Sequence, residues 1–131
     1  MTHFGVICPP FSGHLNPMAA LGRELRSRGH RVTFLQIPDL EQNVLSEGLN
    51  FHPIGLSTYR PGELAEILAQ LGQLSGIEAL RYSVKFCQRI TAIICQDAPA
   101  AIEAAGIEAL LVDQMEPAGE ATEPGQPRLR P

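Results

Sequence analysis

The sequence predicts an α/β fold, with an open, mostly parallel, Rossmann-like sheet and helices on both of its faces. Short, continuous apolar runs such as residues 4–8 are typical of strands that are buried on both faces in a parallel sheet. These runs alternate with longer segments of helical periodicity, and prolines or glycines separate the two kinds of segment. In such folds ligands bind beyond the carboxyl ends of the strands, so residues that follow a strand are the candidate site residues.

The first part of the chain predicts a βαβ unit. Its first strand spans residues 4–8, and a turn leads from this strand into a helix. Asn16 is predicted to cap that helix, Pro17 to be its first residue, and Gly29 to end it. A second strand, residues 31–37, completes the unit, and the helical crossover makes the two strands parallel.

The remaining elements are predicted from the same two kinds of pattern. In chain order they are a short helix at residues 39–47, a strand at 51–54, a loop at 55–62, a helix at 63–74, a long helix at 76–96, a short helix at 97–105 and a strand at 109–112. The long helix is predicted from an apolar stripe along one face, which places Cys87 and Cys95 in the core. The loop contains Tyr59 and Arg60 and is expected to be mobile.

These elements form one predicted domain, residues 1–115, which suits the total length of 131 residues. After Met115 the sequence changes in character, because prolines recur without any periodicity. Residues 116–131 are therefore predicted to be a disordered, Pro-rich tail.

The composition excludes several classes of function. A net charge of -4 gives no reason to expect a nucleic-acid partner, and 5% aromatic residues without Trp offer no base-stacking surface. None of the three cysteines forms a C-x-x-C pair, which favours reduced thiols over disulfides or a metal site. No apolar run approaches the roughly 20 residues of a membrane span. We expect a cytoplasmic protein, and contact with a membrane surface stays open.

The segment P-P-F-S-G-H-L-N-P, residues 9–17, is the most informative part of the sequence. It matches neither the dinucleotide fingerprint nor the P-loop, but it places His14 at the carboxyl edge of the sheet, beside the start of a helix. The helix dipole there favours the neutral imidazole, which is the form that a general base requires. The alternative is a histidine that only packs at this turn.

Asp113 follows the last predicted strand and is expected at the same edge of the sheet as His14. A carboxylate bonded to the far nitrogen of a base histidine holds its tautomer and stabilises the imidazolium. The alternative is an aspartate that caps a following helix, and the residues alone leave both readings open. Cys8 is the last residue of the first predicted strand and is also expected near His14. Its apolar surroundings predict a buried, protonated thiol rather than a nucleophile. The other histidines, at strand starts, are interpreted as structural: His3, His30 and His52.

Three segments resemble a known family. They are F-G-V-I-C-P-P-F-S-G-H-L-N-P-M, then L-x-x-R-G-H-R-V-T-F, and later A-L-L-V-D-Q. Together they are similar to the N-terminal, acceptor-binding domain of family-one UDP-glycosyltransferases, which have two Rossmann-like domains in the arrangement called GT-B. Within this family the sequence looks most like the bacterial macrolide and zeaxanthin glucosyltransferase branch. The resemblance covers residues 2–118.

The resemblance implies a reaction and roles for individual residues. His14 would be the catalytic base that deprotonates the hydroxyl of a lipophilic acceptor alcohol, with Asp113 as its orienting partner. The acceptor oxygen would then displace UDP from a UDP-hexose with inversion, so that the UDP-sugar is a co-substrate and neither a cofactor nor a metal is required. Phe11, Ser12 and Gly13 would contribute to acceptor binding.

The family's donor-binding domain has no counterpart in these residues, so this chain alone is expected to be inactive. Three explanations stay open: a truncated or frameshifted glycosyltransferase, a half-enzyme that pairs with a separate donor-binding chain, or a free-standing module that binds small molecules. In each case the surface meant for the missing domain would be exposed. Self-association through that surface is therefore expected.

Overall fold

A computed structural model describes residues 1–117 of the chain. Its elements are β1 (His3–Ile7), α1 (Ser12–Ser27), β2 (Arg31–Gln36), a 3-10 turn (Pro38–Leu40), α2 (Glu41–Ser46), β3 (Asn50–Pro53), α3 (Glu63–Gly72), α4 (Gly76–Ala105) and β4 (Ala109–Val112). The predicted α/β fold is confirmed, and the last strand has the predicted bounds. Residues 118–131, which make up most of the predicted tail, lie outside the described residues.

The four strands form one parallel sheet in the order β3-β2-β1-β4. Val6 of β1 lies between Phe34 of β2 and Leu111 of β4. Val32 and Thr33 are neighbours in β2, so their side chains point to opposite faces of the sheet. Helix α1 packs on the Val32 face, while α4 borders a cavity on the Thr33 face. Helices therefore cover both faces, as predicted.

Helix α1 begins four residues before the predicted cap. Phe11 is its N-cap residue, Asn16 lies within the helix, and Pro17 is an interior proline. The early start is explained by packing, because Leu15 is buried and Phe11 contacts Phe86 of α4. Burial of these side chains outweighs the preference for Asn at the cap and the backbone hydrogen bond that an interior proline removes.

Helix α4 is one continuous helix, whereas the sequence predicted two. Pro99, which was expected to restart a helix, lies inside it. Ala98 and Ile102, on either side of the proline, are buried in the core, and this packing keeps the helix continuous despite the missing N–H group. The predicted end is correct: Gly106 follows the helix with φ of +68°, a conformation that favours glycine.

The predicted core position of the whole α4 stripe is wrong in its N-terminal part. Ile90 and Ile94 are buried, but Cys87 and the apolar residues before it, Ile77, Leu80 and Val84, are exposed. Cys95, one residue after Ile94, is also exposed, so its predicted core position is wrong as well. Thirty helical residues extend about 45 Å. Strands of four to six residues extend only about 20 Å. The helix is thus longer than the sheet it packs on, and its first turns project beyond the core.

The loop between β3 and α3 is anchored rather than free at Tyr59, which is only 2% exposed. The Tyr59 hydroxyl donates to Asp39 Oδ2 at 3.2 Å, and the backbone N–H groups of Gly62 and Leu64 donate to the same carboxylate at 2.8 and 2.9 Å. The Arg89 guanidinium lies 5.1 Å from the centre of the Tyr59 ring. These contacts correct the expectation of a mobile loop around Tyr59.

Candidate functional site

The carboxyl edge of the sheet brings His14 and Asp113 together. β1 and β4 are parallel neighbours, with Ile7 paired to Val112, so the residues that follow these strands emerge side by side. The backbone N–H of Asp113 donates to the carbonyl of Ile7 at 2.9 Å and extends this pairing by one residue. Nδ1 of His14 lies 3.0 Å from Oδ2 of Asp113, within hydrogen-bond distance.

His14 lies in the first turn of α1 rather than in the turn before the helix. Its backbone N–H donates to the carbonyl of Phe11, the N-cap residue, at 2.9 Å. The His14 side chain is 34% exposed and that of Asp113 is 15% exposed. The imidazole is therefore open to a ligand on one side and held by the carboxylate on the other.

Asp113 is an ionised hydrogen-bond acceptor. Desolvation by partial burial raises its pKa, but the backbone N–H of Met115, which donates to Oδ1 at 2.8 Å, and the His14 ring together lower that pKa below its ordinary value. An ionised carboxylate can only accept, so Nδ1 of His14 must carry the hydrogen of their bond. In the neutral ring this leaves Nε2 with a free lone pair, which is the arrangement of an oriented base.

The three predicted acceptor-binding residues lie next to His14 at the start of α1. Phe11 is half-buried, with its ring edge-on to Phe86 at 5.7 Å between centroids. Ser12 and Gly13 are exposed. A Cβ atom on Gly13 would meet nothing within 4 Å, so the space beside it is open. Their part in acceptor binding stays a prediction.

An apolar cavity that the sequence did not indicate begins two residues after Asp113. Its volume is about 480 Å³, and it is lined by Ser83, Val84, Cys87, Gln88, Thr91 and Ala92 of α4 together with Met115 and Pro117. The hydroxyl of Thr91 donates to Oε1 of Glu116 at 2.8 Å and fixes this segment against the helix. Glu116, the first residue of the predicted tail, is 3% exposed. The α4 side of the cavity includes residues of the predicted apolar stripe. The stripe is the sequence pattern that could indicate this cavity, but its helical spacing is also that of a buried helix face.

Cys8 is buried, as predicted, and its thiol is not a nucleophile. Burial, followed by the negative charge of Asp113, raises its pKa to about 12, so the thiolate is not populated at neutral pH. The structural interpretation of His30 also agrees with its contacts. Its Nδ1 accepts the backbone N–H of Thr2 at 3.0 Å, and its ring packs edge-on to Phe4.

Within residues 1–117 no group of three or more His, Cys, Asp and Glu side chains is placed to hold a metal ion. In the same part of the chain no helix has the length and apolar character needed to cross a membrane.

Comparison with curated proteins identifies relatives that act on sugars. Zeaxanthin glucosyltransferase of Pantoea ananas is 37% identical over 119 residues, which are 91% of this chain and 27% of that protein. Zeaxanthin glucosyltransferase of Pseudescherichia vulneris is 33% identical over 121 residues, again 91% and 27% of the two chains. The predicted resemblance to this branch is confirmed. The chain spans about a quarter of the length of these curated relatives.

Solved structures share the fold. Glycosyltransferase SsfS6 of Streptomyces sp. SF2575 has a TM-score of 0.68 at 20% identity, over 93% of this chain and 36% of that one. The calicheamicin glycosyltransferase CalG4 has a TM-score of 0.62 at 20% identity, over 93% of this chain and 29% of that one. A family model described as the glycosyltransferase family 28 N-terminal domain matches residues 12–112. The chain therefore belongs to the glycosyltransferase family 28 N-terminal domain family.

Proposed function

We propose that this chain is the acceptor-binding part of an inverting glycosyltransferase that moves a hexose from a UDP-sugar to a hydroxyl of a lipophilic small molecule. The observation that carries the proposal is the 3.0 Å contact between Nδ1 of His14 and Oδ2 of Asp113 at the carboxyl edge of the sheet. A base histidine with an ionised carboxylate behind it is the arrangement that removes a proton from a hydroxyl.

In the proposed reaction Nε2 of His14 takes the proton of the acceptor hydroxyl. The acceptor oxygen forms a bond to the anomeric carbon, the bond from that carbon to the diphosphate oxygen breaks, and UDP leaves with the electron pair. Attack from the face opposite UDP inverts the configuration at the anomeric carbon. The charge that develops on the imidazole is stabilised by Asp113, whose lowered pKa keeps it ionised.

The apolar cavity between α4 and the segment that follows Asp113 supports a lipophilic acceptor. Val84, Ala92, Met115 and Pro117 give most of its wall an aliphatic character, and its volume of about 480 Å³ lies in the range of small-molecule sites. The names of the two curated relatives also indicate glucosyl transfer to zeaxanthin for those proteins. We propose that Phe11, Ser12 and Gly13 line the path from this cavity to His14.

We propose that donor binding resides outside this chain, in a domain that is either continuous with it or supplied by a separate chain. Group transfer depends on holding both substrates together, so we expect no meaningful turnover by the 131-residue chain alone. A cytoplasmic location belongs to this proposal, because Cys8, Cys87 and Cys95 are all free thiols.

The test is a chimera of this chain with the remaining part of the Pantoea ananas zeaxanthin glucosyltransferase, supplied with UDP-glucose and a lipophilic alcohol. We expect glucoside formation that His14→Ala lowers by about 10²-fold to 10⁴-fold, the usual contribution of a general base. His30→Gln is the matched control, since His30 lies at the amino edge of the sheet, where its Nδ1 accepts the backbone N–H of Thr2.

Transfer that survives in the folded His14→Ala chimera would refute the assignment of the base. Acceptor binding without transfer, unchanged by His14→Ala, would instead favour a module that only binds small molecules. Circular dichroism of each variant separates either outcome from a loss of fold.

A further inference from the structure

We propose that Glu116 is a positioning residue for the pair of His14 and Asp113, because it ties the turn that carries the Asp113 carboxylate to helix α4 through Thr91. Glu116 acts only through Asp113, and it does not line the cavity proposed for the acceptor. Its consequence for catalysis rests on the proposed transfer, whereas its effect on geometry concerns this chain alone. The two can therefore be tested separately.

The Asp113 carboxylate is aimed by the turn that begins with it. The N–H of Met115 donates to Oδ1 of Asp113 at 2.8 Å, and the N–H of Glu116 donates to the carbonyl of Asp113 at 2.9 Å. These bonds close a turn over residues 113–116 and hold one carboxylate oxygen, so that Oδ2 is left for Nδ1 of His14 at 3.0 Å. A change in the turn would therefore move the carboxylate away from the imidazole.

The two ends of this turn are held by different elements. Asp113 is fixed by the sheet, since its N–H donates to the carbonyl of Ile7 at 2.9 Å. Glu116 lies beyond β4, which ends at Val112, so the strand pairing does not hold it. The hydroxyl of Thr91 on α4 donates to Oε1 of Glu116 at 2.8 Å and links this end of the turn to the helix.

The burial of Glu116 is unusual for its place in the chain. Glu116 is 3% exposed, although Met115 before it is 65% exposed and Pro117 after it is also exposed. Burial is the larger cause of the raised pKa of the Cys87 and Cys95 thiols on α4, and the negative charge of Glu116 is the second cause. The carboxylate therefore points inward at this helix. An apolar side chain would fill the same space without the cost of desolvating a charge, which favours a role for the hydrogen bond itself.

Positioning and a simple effect of charge predict opposite changes at Asp113. Desolvation raises the pKa of Asp113, but the N–H of Met115 and the His14 ring outweigh it and hold the pKa below its ordinary value. Release of the turn removes these contacts together, so the pKa rises towards its ordinary value. Removal of the Glu116 charge without release of the turn would instead lower the pKa of Asp113, since one negative charge disfavours another nearby.

The experiment is a pH titration of the Asp113 carboxyl carbon by NMR in the 131-residue chain, with Thr91→Val and Glu116→Ala compared with the unmodified sequence. Valine matches threonine in shape, so Thr91→Val removes the hydrogen bond and keeps the packing. We expect the pKa of Asp113 to rise in both variants and to keep its original value in Thr91→Ser, which retains the hydroxyl. Glu103→Ala, at an exposed position near the end of α4, is the control and should leave the pKa of Asp113 unchanged.

In the chimera with the Pantoea ananas enzyme, Thr91→Val and Glu116→Ala should lower kcat by up to about 10²-fold, the loss that a misplacement of about 1 Å can cause. A pKa of Asp113 that stays constant or falls in both variants would overturn the proposal, as would a rise in KM alone with kcat unchanged. Circular dichroism confirms that each variant is folded. If no form of the chimera transfers glucose, the proposed transfer fails, and the titration still decides whether Glu116 positions Asp113.

Discussion

His14 and Asp113 are 99 positions apart in the chain, yet their side chains are in hydrogen-bond contact. Each residue could be singled out from its local sequence, because Asp113 directly follows an apolar strand and His14 lies at the start of the helix that follows another. What the local sequence does not contain is the order of the strands. The contact exists because β1 and β4 are neighbours, an arrangement that four parallel strands do not have to adopt. Residue identity is thus local information, and the distance between two residues is not.

The lowered pKa of Asp113 predicts an acid-dependent contribution to stability. The ionised carboxylate stabilises the fold above the pKa of the unfolded chain, and this contribution is lost as pH falls through the lower pKa of the folded state. Asp113→Asn should therefore lower the free energy of unfolding at pH 7, and the difference from the unmodified chain should shrink below about pH 4. Urea denaturation at several pH values measures this. Glu78→Gln, at an exposed position, is the control. A difference in the free energy of unfolding between Asp113→Asn and the unmodified chain that does not vary with pH would contradict the prediction.

At the scale of elements, the N-terminus of α3 is capped by a side chain from a distant part of the chain. Gly62 stands at the N-cap of α3 and has no side chain that could accept the N–H groups of the first turn, although the N–H of Glu63 donates to the carbonyl of Arg60 at 3.1 Å. Asp39, after β2, takes that role by accepting the N–H groups of Gly62 and Leu64. The sequence shows a helix start at Glu63 but gives no sign of this partner, which lies 25 positions before Leu64.

Asp39→Ala should lower the free energy of unfolding by about 1–3 kcal/mol, because it leaves two backbone donors and the Tyr59 hydroxyl without their acceptor. Chemical denaturation measures the loss, and hydrogen exchange of the Leu64 amide should accelerate with it. Glu41→Gln removes an exposed acidic group at the start of α2 and serves as the matched control. Equal stability of the two variants would show that Asp39 does not hold the loop.

At the scale of the whole molecule, the main feature is the apolar stripe on α4 that projects beyond the sheet. Ile77, Leu80 and Val84 are 66%, 62% and 47% exposed, and Val84 and Met115 line the same cavity. A contiguous apolar surface of this kind is typical of an interaction site. Its helical spacing is the same as that of a buried helix face, which is why the sequence pattern predicted a core.

We expect the 131-residue chain to self-associate through this stripe, and the double substitution Leu80→Lys with Val84→Lys to reduce the association without loss of fold. Sedimentation velocity at several protein concentrations measures the change. Leu45→Lys, at an exposed leucine on α2 outside the stripe, should leave the association unchanged. A monomer at all concentrations, or an equal effect of both kinds of variant, would exclude the stripe as the contact.

The sequence by itself determined the α/β class, the bounds of β4, the end of α4 at Gly106 and the identity of His14 and Asp113 as candidates. These features depend on periodicity, on backbone preferences and on residue type, which act over a few neighbouring positions. The tertiary structure alone decided where α1 starts, that α4 continues through Pro99, and which part of its stripe is buried. Each of these depends on how far one element extends over another, because burial against distant residues outweighs local preferences.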